Sequence, residues 1–598
     1  MYNWAKNENE VVRMQRTDYC AQITKQDIGR KATVTGWIQR NRDLGGLAFV
    51  NLRDSSGIMQ VVFPGDDSSL AAAHTLGRED VVAVTGTITA RDTVNINPDM
   101  TTGEIELRAE KLEILNRART PPFLIEGSGE DTTEETRLRF RYVDIRRERM
   151  QSNLLLRHQV FKKIRDFFDE QGFIEIETPI LTKSTPEGAR DFLVPSRIEP
   201  GKFYALPQSP QLFKQLLMIG GIDRYFQLAK CFRDEDLRAD RQPEFTQLDF
   251  EIAFPRGKEE IISLLEKMLD QLFRNTLNVH LPQRFPCLSY HEAIARYGSD
   301  KPDLRFGMEI EDISHLVKGC EYRIFTDALA VGGKVLGINA CGCAGYSRSQ
   351  IDRLQKLAVA DGAGGLLWIK VGEEISSPLA KFITEERLQE IVALFGATSG
   401  DLILIVAGEG MEPVLGSLRV TIAHQEKMED DDWHFLWVTD FPLFEHTEEG
   451  ELTSSHHPFT SPRQQDIAAL ESRFATALAD SYDLVLNGVE LGSGSIRIHS
   501  RALQERIFTV LGFDKEEMEE RFGFFLHALE YGTPPHGGFA LGLDRCIMMM
   551  ARESSIRDVI AFPKTTTGLC PLTNAPMSVT REQLNELKLQ KQDETRKE

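Results

Sequence analysis

The sequence predicts a multidomain α+β protein, and three observations lead to that class. The chain has 598 residues, several times the usual ~150 residues of one domain. Residues 1–121 alternate short apolar runs with turn signals, which is typical of a β-domain. From about residue 150 the apolar residues recur at helical spacing, with strand-like segments between them. We therefore expect a small β-domain followed by larger mixed domains.

The composition is that of a globular protein with a negative net charge. Hydrophobic residues make up 41% and charged residues 27%, and 70 basic against 91 acidic residues give −21. No apolar segment approaches the ~20 residues that span a bilayer, and the N-terminal residues lack the features of a signal peptide. The cysteines form no C-x-x-C pair, so neither a zinc ribbon nor a disulfide framework is indicated. We expect a cytoplasmic enzyme without a membrane partner.

Basic residues are concentrated in two stretches despite the acidic total. Arg and Lys outnumber Asp and Glu in residues 29–62 and again in residues 137–149. Phosphate groups respond to local positive charge more than to net charge. These stretches are compatible with RNA binding, and solvated faces remain the alternative.

The N-terminal region is predicted as a small barrel. Its strands are expected at residues 32–39, 47–53, 58–63, 81–90 and 104–108, with one short helix near 70–76. Five short strands suit an oligonucleotide-binding (OB) fold, and a small β-sandwich is the alternative. Pro121-Pro122 ends this region, which we place at 1–121, and residues 122–149 are predicted to be a hinge.

The remainder is predicted to contain one domain in two parts. Residues 150–302 and 431–563 share a sheet-rich pattern, and the glycine- and alanine-rich residues 303–430 interrupt it as a separate α/β insertion. Residues 564–598 form a C-terminal extension with a charged helical stretch at 582–597.

A predicted hairpin gathers chemically useful groups. Strands at 225–233 and 245–251 flank a polar loop, and strand side chains alternate between two faces. The polar and aromatic side chains on these faces are Arg233, Glu235, Phe245, Gln247, Asp249 and Glu251. A solvated face would explain the charges but not their alternation with apolar residues.

A second hairpin carries two carboxylates. Asn487-Gly488 lies between apolar runs, which is a strong signal for a two-residue turn. If Leu486 pairs with Val489, Asp483 is a diagonal neighbour of Glu490 on the same face. Two carboxylates there repel each other unless a cation lies between them, and oxygen ligands suit Mg²⁺. An ordinary exposed hairpin is the alternative.

Two helix starts complete the candidate groups. Ser209 and Pro210 are expected to begin a helix with Gln211 and Lys214 on one face, although a solvated lysine is the commoner case. Arg545 lies near the start of another helix, a place suited to phosphate. Neither a Walker A loop nor a strand-linked G-x-G-x-x-G appears, so arginines would have to hold a nucleotide.

These motifs resemble the class II aminoacyl-tRNA synthetases. Residues 172–179 resemble motif 1, residues 232–235 motif 2 and residues 542–545 motif 3. Residues 185–191, 208–214 and 456–460 are similar to the bacterial aspartyl type within that class. The resemblance covers nearly the whole chain. It implies an OB-fold anticodon-binding domain, a catalytic domain built on an antiparallel sheet, and the bacterial-type insertion.

The resemblance also implies an activity. Members of the aspartyl type activate L-aspartate with ATP and Mg²⁺ to aspartyl-adenylate. They then transfer the aspartyl group to the terminal adenosine of tRNA(Asp). Some members also charge tRNA(Asn), and these often carry His where this sequence has Leu44, which favours tRNA(Asp) alone. A homodimer formed through motif 1 is expected. The rival interpretations are an asparaginyl-tRNA synthetase and a non-catalytic RNA-binding relative.

The resemblance assigns site residues as follows. The catalytic residues are Arg233 and Arg545, and the Mg²⁺ ligands are Asp483 and Glu490. The aspartate-binding residues are Glu187, Ser209, Gln211, Lys214, Arg233, Asp249, His456 and Arg497. The ATP-binding residues are Arg233, Asp234, Glu235, Gln242, Phe245, Glu490, Gly542, Leu543, Asp544 and Arg545. The anticodon-reading residues are Arg42, Phe49, Gln60, Arg91 and Glu106.

Three of these assignments carry specific expectations. Arg497 and Lys214 are implied to face the side-chain carboxylate of aspartate, and Asp249 is expected to orient both cations. Phe49 is implied to stack on an anticodon base, and a ring in the barrel core remains the alternative.

Overall fold

The computed structural model describes residues 15–43, 46–65, 68–127, 132–185, 189–447 and 450–590. It divides the chain into two units, Met1–Arg147 and Glu148–Glu598. Within the described ranges no helix is long and apolar enough to cross a membrane. The predicted hinge and the predicted domain limits stay predictions.

The first unit is a closed barrel of five strands in the order β1-β2-β3-β5-β4. Its elements are β1 (Lys31–Asp43), β2 (Ala48–Arg53), β3 (Ile58–Phe63), α1 (Ser68–Ala73), β4 (Val81–Ala90) and β5 (Ile105–Asn116). Alternate residues such as Ala48, Val50 and Leu52 are buried in the barrel, as the period of two in a strand requires. The predicted OB-fold is confirmed.

Two barrel strands are longer than predicted. β1 continues to Asp43 and β5 to Asn116, whereas we expected them to end at residues 39 and 108. β5 pairs with β4 over its whole length, and irregularities in that pairing shift the register. Each shift changes which residues face the core, so the apolar alternation in the sequence is lost before the strand ends.

The arginine-rich stretch at residues 137–149 is partly internal, whereas the sequence left a phosphate-binding face and a solvated face as its alternatives. It forms α2 (Glu134–Arg139) and α3 (Arg141–Asp144). Asp144 is fully buried and accepts hydrogen bonds from Arg137 Nε (3.2 Å) and Arg141 Nη1 (2.7 Å). Arg147 Nε lies 3.2 Å from the same carboxylate. Three arginines therefore neutralise a buried acid instead of meeting a ligand.

The second unit is built on an eight-stranded sheet in the order β11 (Cys287–Ser289), β17 (Phe435–Thr439), β20 (Ser481–Leu486), β21 (Val489–Ile496), β22 (His536–Gly542), β10 (Glu244–Ala253), β9 (Arg224–Phe232) and β6 (Ile174–Glu175). The elements before the insertion are α4 (Glu148–Glu170), β6 (Ile174–Glu175), β7 (Leu193–Pro195), β8 (Phe203–Ala205), α5 (Gln211–Ile219), β9 (Arg224–Phe232), β10 (Glu244–Ala253), α6 (Lys258–Leu277), β11 (Cys287–Ser289) and α7 (Tyr290–Tyr297). The pairings from β17 to β9 are antiparallel, which confirms the predicted antiparallel sheet.

The insertion has its own five-stranded sheet, in the order β12-β13-β16-β14-β15. Its elements are β12 (Glu311–Asp312), α8 (Ser314–Val317), α9 (Arg323–Ala330), β13 (Lys334–Ala340), α10 (Arg348–Ala360), β14 (Leu367–Val371), β15 (Ile375–Ser376), α11 (Glu385–Leu394), β16 (Leu402–Gly408) and α12 (Glu412–Glu426). Separate hydrophobic clusters include alternate residues of β13 and β16. Cores on both faces of the sheet are what an α/β domain requires.

After the insertion the chain returns to the large sheet. The remaining elements are β17 (Phe435–Thr439), β18 (Phe444–His446), β19 (Leu452–Ser454), α13 (Leu470–Arg473), β20 (Ser481–Leu486), β21 (Val489–Ile496), α14 (Arg501–Val510), α15 (Lys515–Ala528), β22 (His536–Gly542), α16 (Leu543–Met550) and α17 (Arg581–Glu586). α17 ends at Glu586, whereas the predicted helix spans 582–597, of which residues 591–597 lie outside the described ranges.

Candidate active site

A cavity of about 680 Å³ lies over the middle of the large sheet. A smaller one of about 140 Å³ adjoins it, since Arg233, Glu235 and Glu490 line both. The predicted residues that line the larger cavity are Ser209, Gln211, Arg233, Glu235, Asp249, His456, Asp483, Glu490 and Arg497. Those that line the smaller one are Arg233, Glu235, Gln242, Phe245, Glu490, Gly542, Asp544 and Arg545. Residues predicted from distant motifs are thus brought together.

Four predicted residues are not found on these walls. Lys214 is fully buried and lies behind Asp249. Asp234 is exposed and lines a separate cavity. Leu543 is fully buried in the core. Glu187 lies outside the described residues.

A buried network of two cations and two carboxylates lies beneath the larger cavity, and two of its members, Asp249 and Arg497, line the cavity. Lys214 Nζ donates to Asp249 Oδ1 at 3.1 Å, and Arg497 Nε donates to Glu251 Oε1 at 2.9 Å. Lys214 Nζ also lies 3.5 Å from Glu251 Oε2. Side-chain exposure of all four is 2% or less. In such a dry site each charge requires its partner.

Glu251 is the partner of Arg497, and our expectation that Asp249 orients both cations is corrected on this point. Strand pairing explains the arrangement, because β10 places Glu251 opposite Gly538 of β22. A Cβ atom at position 538 would come within 2.1 Å of Glu251 Oε2. The glycine therefore leaves space for the carboxylate that holds Arg497.

The two carboxylates of this network differ in proton affinity. Burial raises the pKa of Asp249, although Lys214 opposes that rise. Burial also acts to raise the pKa of Glu251, but Arg497 and Lys214 outweigh it and the pKa is lowered. Glu251 is therefore the securely ionised member, since it contacts both cations.

His457 stands next to the network as a neutral base. Arg497 Nη1 lies 2.8 Å from His457 Nε2 and the Phe459 N–H lies 3.2 Å from Nδ1, so donors face both ring nitrogens and oppose a second proton on the ring. Burial, followed by Arg497, places the pKa of His457 well below its usual value. The neutral ring thus lies against Nη1 of Arg497 without adding a third positive charge.

The stability of the second unit is expected to fall in acid through His457. A base whose pKa is lowered by folding binds its proton more readily in the unfolded chain, so its contribution is present above the unfolded pKa of 6.5 and is lost as the pH falls below it. The wild type should lose up to about 1.4 kcal/mol of unfolding free energy per pH unit from this group. Denaturant unfolding between pH 7 and pH 5 measures the slope, which His457→Gln should reduce; an unchanged slope would contradict this assignment.

The motif 2 arginine faces the cavity over an aromatic ring. The Arg233 guanidinium carbon lies 5.2 Å from the centroid of Phe245. Among the described residues the buried Arg233 Nε has no hydrogen-bond partner. An unsatisfied buried donor is costly, so this atom calls for an acceptor such as a phosphate or carboxylate oxygen.

The motif 3 arginine is held from two sides. Arg545 Nη1 donates to the Glu490 carbonyl oxygen at 2.7 Å, and Nη2 lies 3.1 Å from Asp240 Oδ2. As predicted, Arg545 lies in the first turn of a helix, α16. Asp544, next to it, accepts from the Thr246 N–H at 2.7 Å and so fastens this helix to β10. Asp544 therefore has a structural role in its contacts with the rest of the protein.

The amide of Gln242 is committed to the C-terminal extension. Its Oε1 accepts from the Lys564 N–H at 2.8 Å, and its Nε2 donates to the Lys564 carbonyl at 3.0 Å. The side chain is buried. The prediction that Gln242 contacts ATP therefore depends on its main chain.

The carboxylate hairpin forms with one irregularity. Leu486 pairs with Val489 and Val485 with Glu490, as predicted, but a bulge then places Asp483 opposite Ser493. Asp483 and Glu490 still line the same cavity. Burial raises the pKa of Asp483 to about 6, with His456 opposing the rise and Glu490 adding to it. These oxygen ligands fit the chemistry of Mg²⁺.

His456 pairs with Asp483. Its Nε2 lies 2.8 Å from Asp483 Oδ1. Burial acts to lower the pKa of His456, but Asp483 and then Glu490 outweigh it, so the pKa is raised. The pair places a positive group beside the carboxylates at this end of the cavity.

The predicted anticodon residues lie on the barrel of the first unit. Arg42 of β1 is exposed and pairs across the strands with the half-buried Phe49 of β2. Phe49 points away from the core, because its neighbours Ala48 and Val50 are buried, so the core-ring alternative is wrong. Gln60 Nε2 donates to Glu106 at 2.8 Å. Arg91 is buried, with Nε bonded to the Ile105 carbonyl.

Sequence reasoning left several residues of the cavity and its surroundings unassigned. Glu251 continues the alternation of the predicted strand, so its position was available as a signal. Tyr290, Asp300 and Glu445 also line the cavity, and no local pattern indicates them. His536 and Gln215 lie buried beneath it.

Comparison with known protein families matches both units. A model described as tRNA synthetases class II (D, K and N) matches residues 133–566, and one described as an OB-fold nucleic acid binding domain matches residues 32–115. The chain belongs to the class II aminoacyl-tRNA synthetases of the D, K and N type, which are ATP-dependent ligases. This confirms the resemblance of the three motifs.

Curated relatives narrow the family to the aspartate–tRNA ligases. An aspartate–tRNA(Asp/Asn) ligase from Anoxybacillus flavithermus is 51% identical, over 97% of this chain and 99% of the relative. An aspartate–tRNA ligase from Ruminiclostridium cellulolyticum is 50% identical, over 96% and 98%. Among solved structures, the asparaginyl-tRNA synthetase of Pyrococcus horikoshii with asparaginyl-adenylate has a TM-score of 0.59 at 19% identity, covering 92% of this chain and 99% of its own. That structure supports the fold.

Proposed function

We propose that the protein activates L-aspartate with ATP to aspartyl-adenylate and transfers the aspartyl group to the terminal adenosine of tRNA(Asp). The class II family supplies the reaction type, and the near-full-length relatives are named for aspartate. Because protein synthesis is the consumer of this product, we propose a cytoplasmic location.

The hydrogen-bond inventory of Arg497 carries the choice of aspartate. Of its five N–H groups, Nε and one on Nη2 serve Glu251, and the two on Nη1 serve Ser495 and His457. In the described part of the chain the second N–H of Nη2 has no acceptor, and Arg497 lines the cavity. A carboxylate only accepts, so it suits this donor, whereas the amide of asparagine can present its own donors.

Asp249 supplies the opposite requirement. Among the described residues its buried Oδ2 has no hydrogen-bond partner, and Asp249 lines the same cavity. Leaving a buried acceptor unmade is costly, and an ammonium group would satisfy it. A zwitterionic amino acid with a carboxylate side chain therefore matches the groups of the cavity, as predicted from the aspartyl motifs.

The adenylate-forming step then needs positioning and charge neutralisation. Arg233 would contact the α-phosphate and the reacting carboxylate, and Phe245 and Arg545 would enclose the adenine. The carboxylate attacks the α-phosphate in line and pyrophosphate leaves, so no general base is required. When bound, Mg²⁺ neutralises and orients phosphate oxygens, and Asp483 and Glu490 would hold it.

ATP–pyrophosphate exchange tests this function. Purified protein with ATP and Mg²⁺ is supplied in turn with aspartate, asparagine and lysine, the three amino acids of the D, K and N group. We expect exchange with aspartate alone. Exchange with asparagine instead would support the sister enzyme, and exchange with none of the three would leave a non-catalytic RNA-binding relative.

The Mg²⁺ assignment makes a separate prediction. Asp483→Asn and Glu490→Gln should each raise the Mg²⁺ concentration for half-maximal exchange by about 10-fold, since each removes a charged oxygen ligand. Glu445→Gln is the matched control, because it removes a carboxylate that lines the same cavity without being a proposed ligand. Equal shifts in all three variants would indicate a general charge effect and would refute ligation.

The tRNA range is a further part of the proposal. Relatives at similar identity are named aspartate–tRNA ligase and aspartate–tRNA(Asp/Asn) ligase. Leu44, on which the preference for tRNA(Asp) rests, lies outside the described residues. Aminoacylation of the two transcripts under identical conditions decides it: we expect charging of tRNA(Asp), and comparable charging of tRNA(Asn) would assign the broader specificity.

We also propose that the protein is a homodimer through the motif 1 region. Apolar side chains there are unusually exposed, among them Ile174 at 53%, Leu181 at 52% and Leu193 at 57%. Exposed apolar patches commonly mark interfaces. Sedimentation should give twice the chain mass of 67.6 kDa, and a monomer at enzymatic concentrations would exclude this interface.

A further inference from the structure

Three buried side chains form a hydrogen-bonded series that connects β22 to the cavity. His536, at the start of β22, and Gln215, in α5, are both fully buried. His536 Nε2 lies 3.0 Å from Gln215 Nε2. Gln211 Nε2 donates to Gln215 Oε1 at 3.1 Å. Gln211 lies one helical turn before Gln215, so their side chains meet on one face, and Gln211 lines the larger cavity.

The direction of every hydrogen bond in this series follows from the bond between His536 and the Pro534 carbonyl. His536 Nδ1 lies 2.8 Å from the Pro534 carbonyl oxygen. A carbonyl oxygen only accepts, so Nδ1 must carry a proton. In a neutral ring Nε2 is then an acceptor. The Gln215 atom that faces Nε2 must therefore be its amide nitrogen, and Gln215 Oε1 must face the other way.

The orientation of Gln215 fixes the orientation of Gln211. Because Gln215 Oε1 only accepts, it must meet the amide nitrogen of Gln211. That bond uses one N–H of the Gln211 amide and turns its nitrogen toward Gln215, so the carbonyl oxygen is the acceptor that the amide presents on its other side. The oxygen and nitrogen ends of a glutamine amide have nearly the same shape, so either end can turn toward a ligand. The buried hydrogen-bonded series decides which end a ligand meets.

The surroundings of His536 fix its main chain and favour the neutral ring. Its main chain is held on both sides, since the Arg497 N–H donates to the His536 carbonyl at 2.9 Å and Ala253 pairs with it across the sheet. Burial lowers the pKa of His536; Glu251 opposes this, and Arg497 and His499 add to the lowering.

We propose that His536 is a positioning residue for the amino-acid substrate. Acting through Gln215, it holds the Gln211 carboxamide with its carbonyl oxygen toward the cavity, as an acceptor for the α-ammonium group of aspartate. The proposal rests on the proposed function, which makes Gln211 an aspartate-binding residue, and it gives Gln211 one hydrogen bond of the α-ammonium beside the one expected for Asp249. His536 itself does not touch the substrate.

The test compares aspartate with succinate, which has both carboxylates but no ammonium group. Gln215→Met keeps the size of the side chain and removes both hydrogen bonds, so the Gln211 amide can turn. In ATP–pyrophosphate exchange the KM for aspartate should rise by about 10-fold or more, as for a lost hydrogen bond to a charged group. The inhibition constant of succinate and the KM for ATP should stay within about 2-fold.

His536 provides an independent pair of variants. His536→Leu should reproduce the selective loss for aspartate. His536→Gln can present an oxygen to Gln215, so it should recover most of the wild-type KM. The matched control is Gln504→Met, which removes a buried glutamine that donates to the Pro458 carbonyl and is not part of the hydrogen-bonded series. It should leave the ratio of the KM for aspartate to the inhibition constant of succinate unchanged.

The outcomes separate the two proposals. Equal changes for aspartate and succinate would show a merely structural role and overturn the positioning proposal, as would a Gln215→Met enzyme with unchanged kinetics. Wild-type protein that exchanges with an amino acid other than aspartate would overturn the proposed function instead. Thermal unfolding of each variant checks that it is folded, and positions 215 and 536 test the proposal separately.

Discussion

Replacing Arg233 by lysine is expected to lower kcat/KM for aspartate-dependent pyrophosphate exchange by about 100- to 1000-fold. The guanidinium lies over Phe245, and its buried Nε has no acceptor among the described residues. A planar fork can contact a phosphate and a carboxylate at once, whereas an ammonium group is a single point charge. The loss should appear in kcat as well as KM, because the arginine neutralises charge that develops in the transition state.

The control for this prediction keeps the same substitution away from the cavities. Arg552 is exposed and stacks on Trp433, with its guanidinium carbon 5.2 Å from the ring. Arg552→Lys should leave exchange within about 2-fold of wild type. An Arg233→Lys enzyme of near-normal activity would remove Arg233 from the reacting centre.

Replacing Arg497 by methionine is expected to have two separable effects. It removes the donor for the aspartate side chain, which should lower kcat/KM by about 100- to 1000-fold. It also deprives the buried Glu251 of its main partner, which should cost about 3–5 kcal/mol of unfolding free energy. Exchange kinetics measure the first effect and denaturant unfolding the second.

A double variant separates function from folding. In Arg497→Met/Glu251→Gln the unpaired buried carboxylate is gone, so most of the lost stability should return while the activity stays low. Recovery of aspartate activity together with stability would mean that Arg497 supports the fold only, and the choice of aspartate would then need another explanation.

Local patterns were sufficient for some parts of the site. The Asn487-Gly488 turn and the pairing of Val485 with Glu490 followed from the sequence, because a two-residue turn sets the register next to it. Strand alternation predicted the face that carries Phe245 and Asp249. Helix spacing placed Arg545 in the first turn of α16.

Local patterns failed where a contact depends on a distant segment. The bulge that moves Asp483 opposite Ser493 is one case. Burial of Lys214 behind Asp249 is another, since it depends on the packing of α5 against β10. The helix itself begins at Gln211, one residue later than predicted, although Ser209 Oγ still accepts the Gln211 N–H at 3.3 Å.

By itself the sequence determined the barrel, the two hairpins and the family, because turns, alternation and motif order are properties of neighbouring residues. Only the tertiary structure decided that Glu251 holds Arg497, that three arginines surround Asp144, and that His536 directs Gln211 through Gln215. These contacts join segments up to 321 residues apart or depend on which side chains become buried. In a dry interior every charge and every hydrogen-bond donor must find a partner, and only the packed chain decides which partner it is.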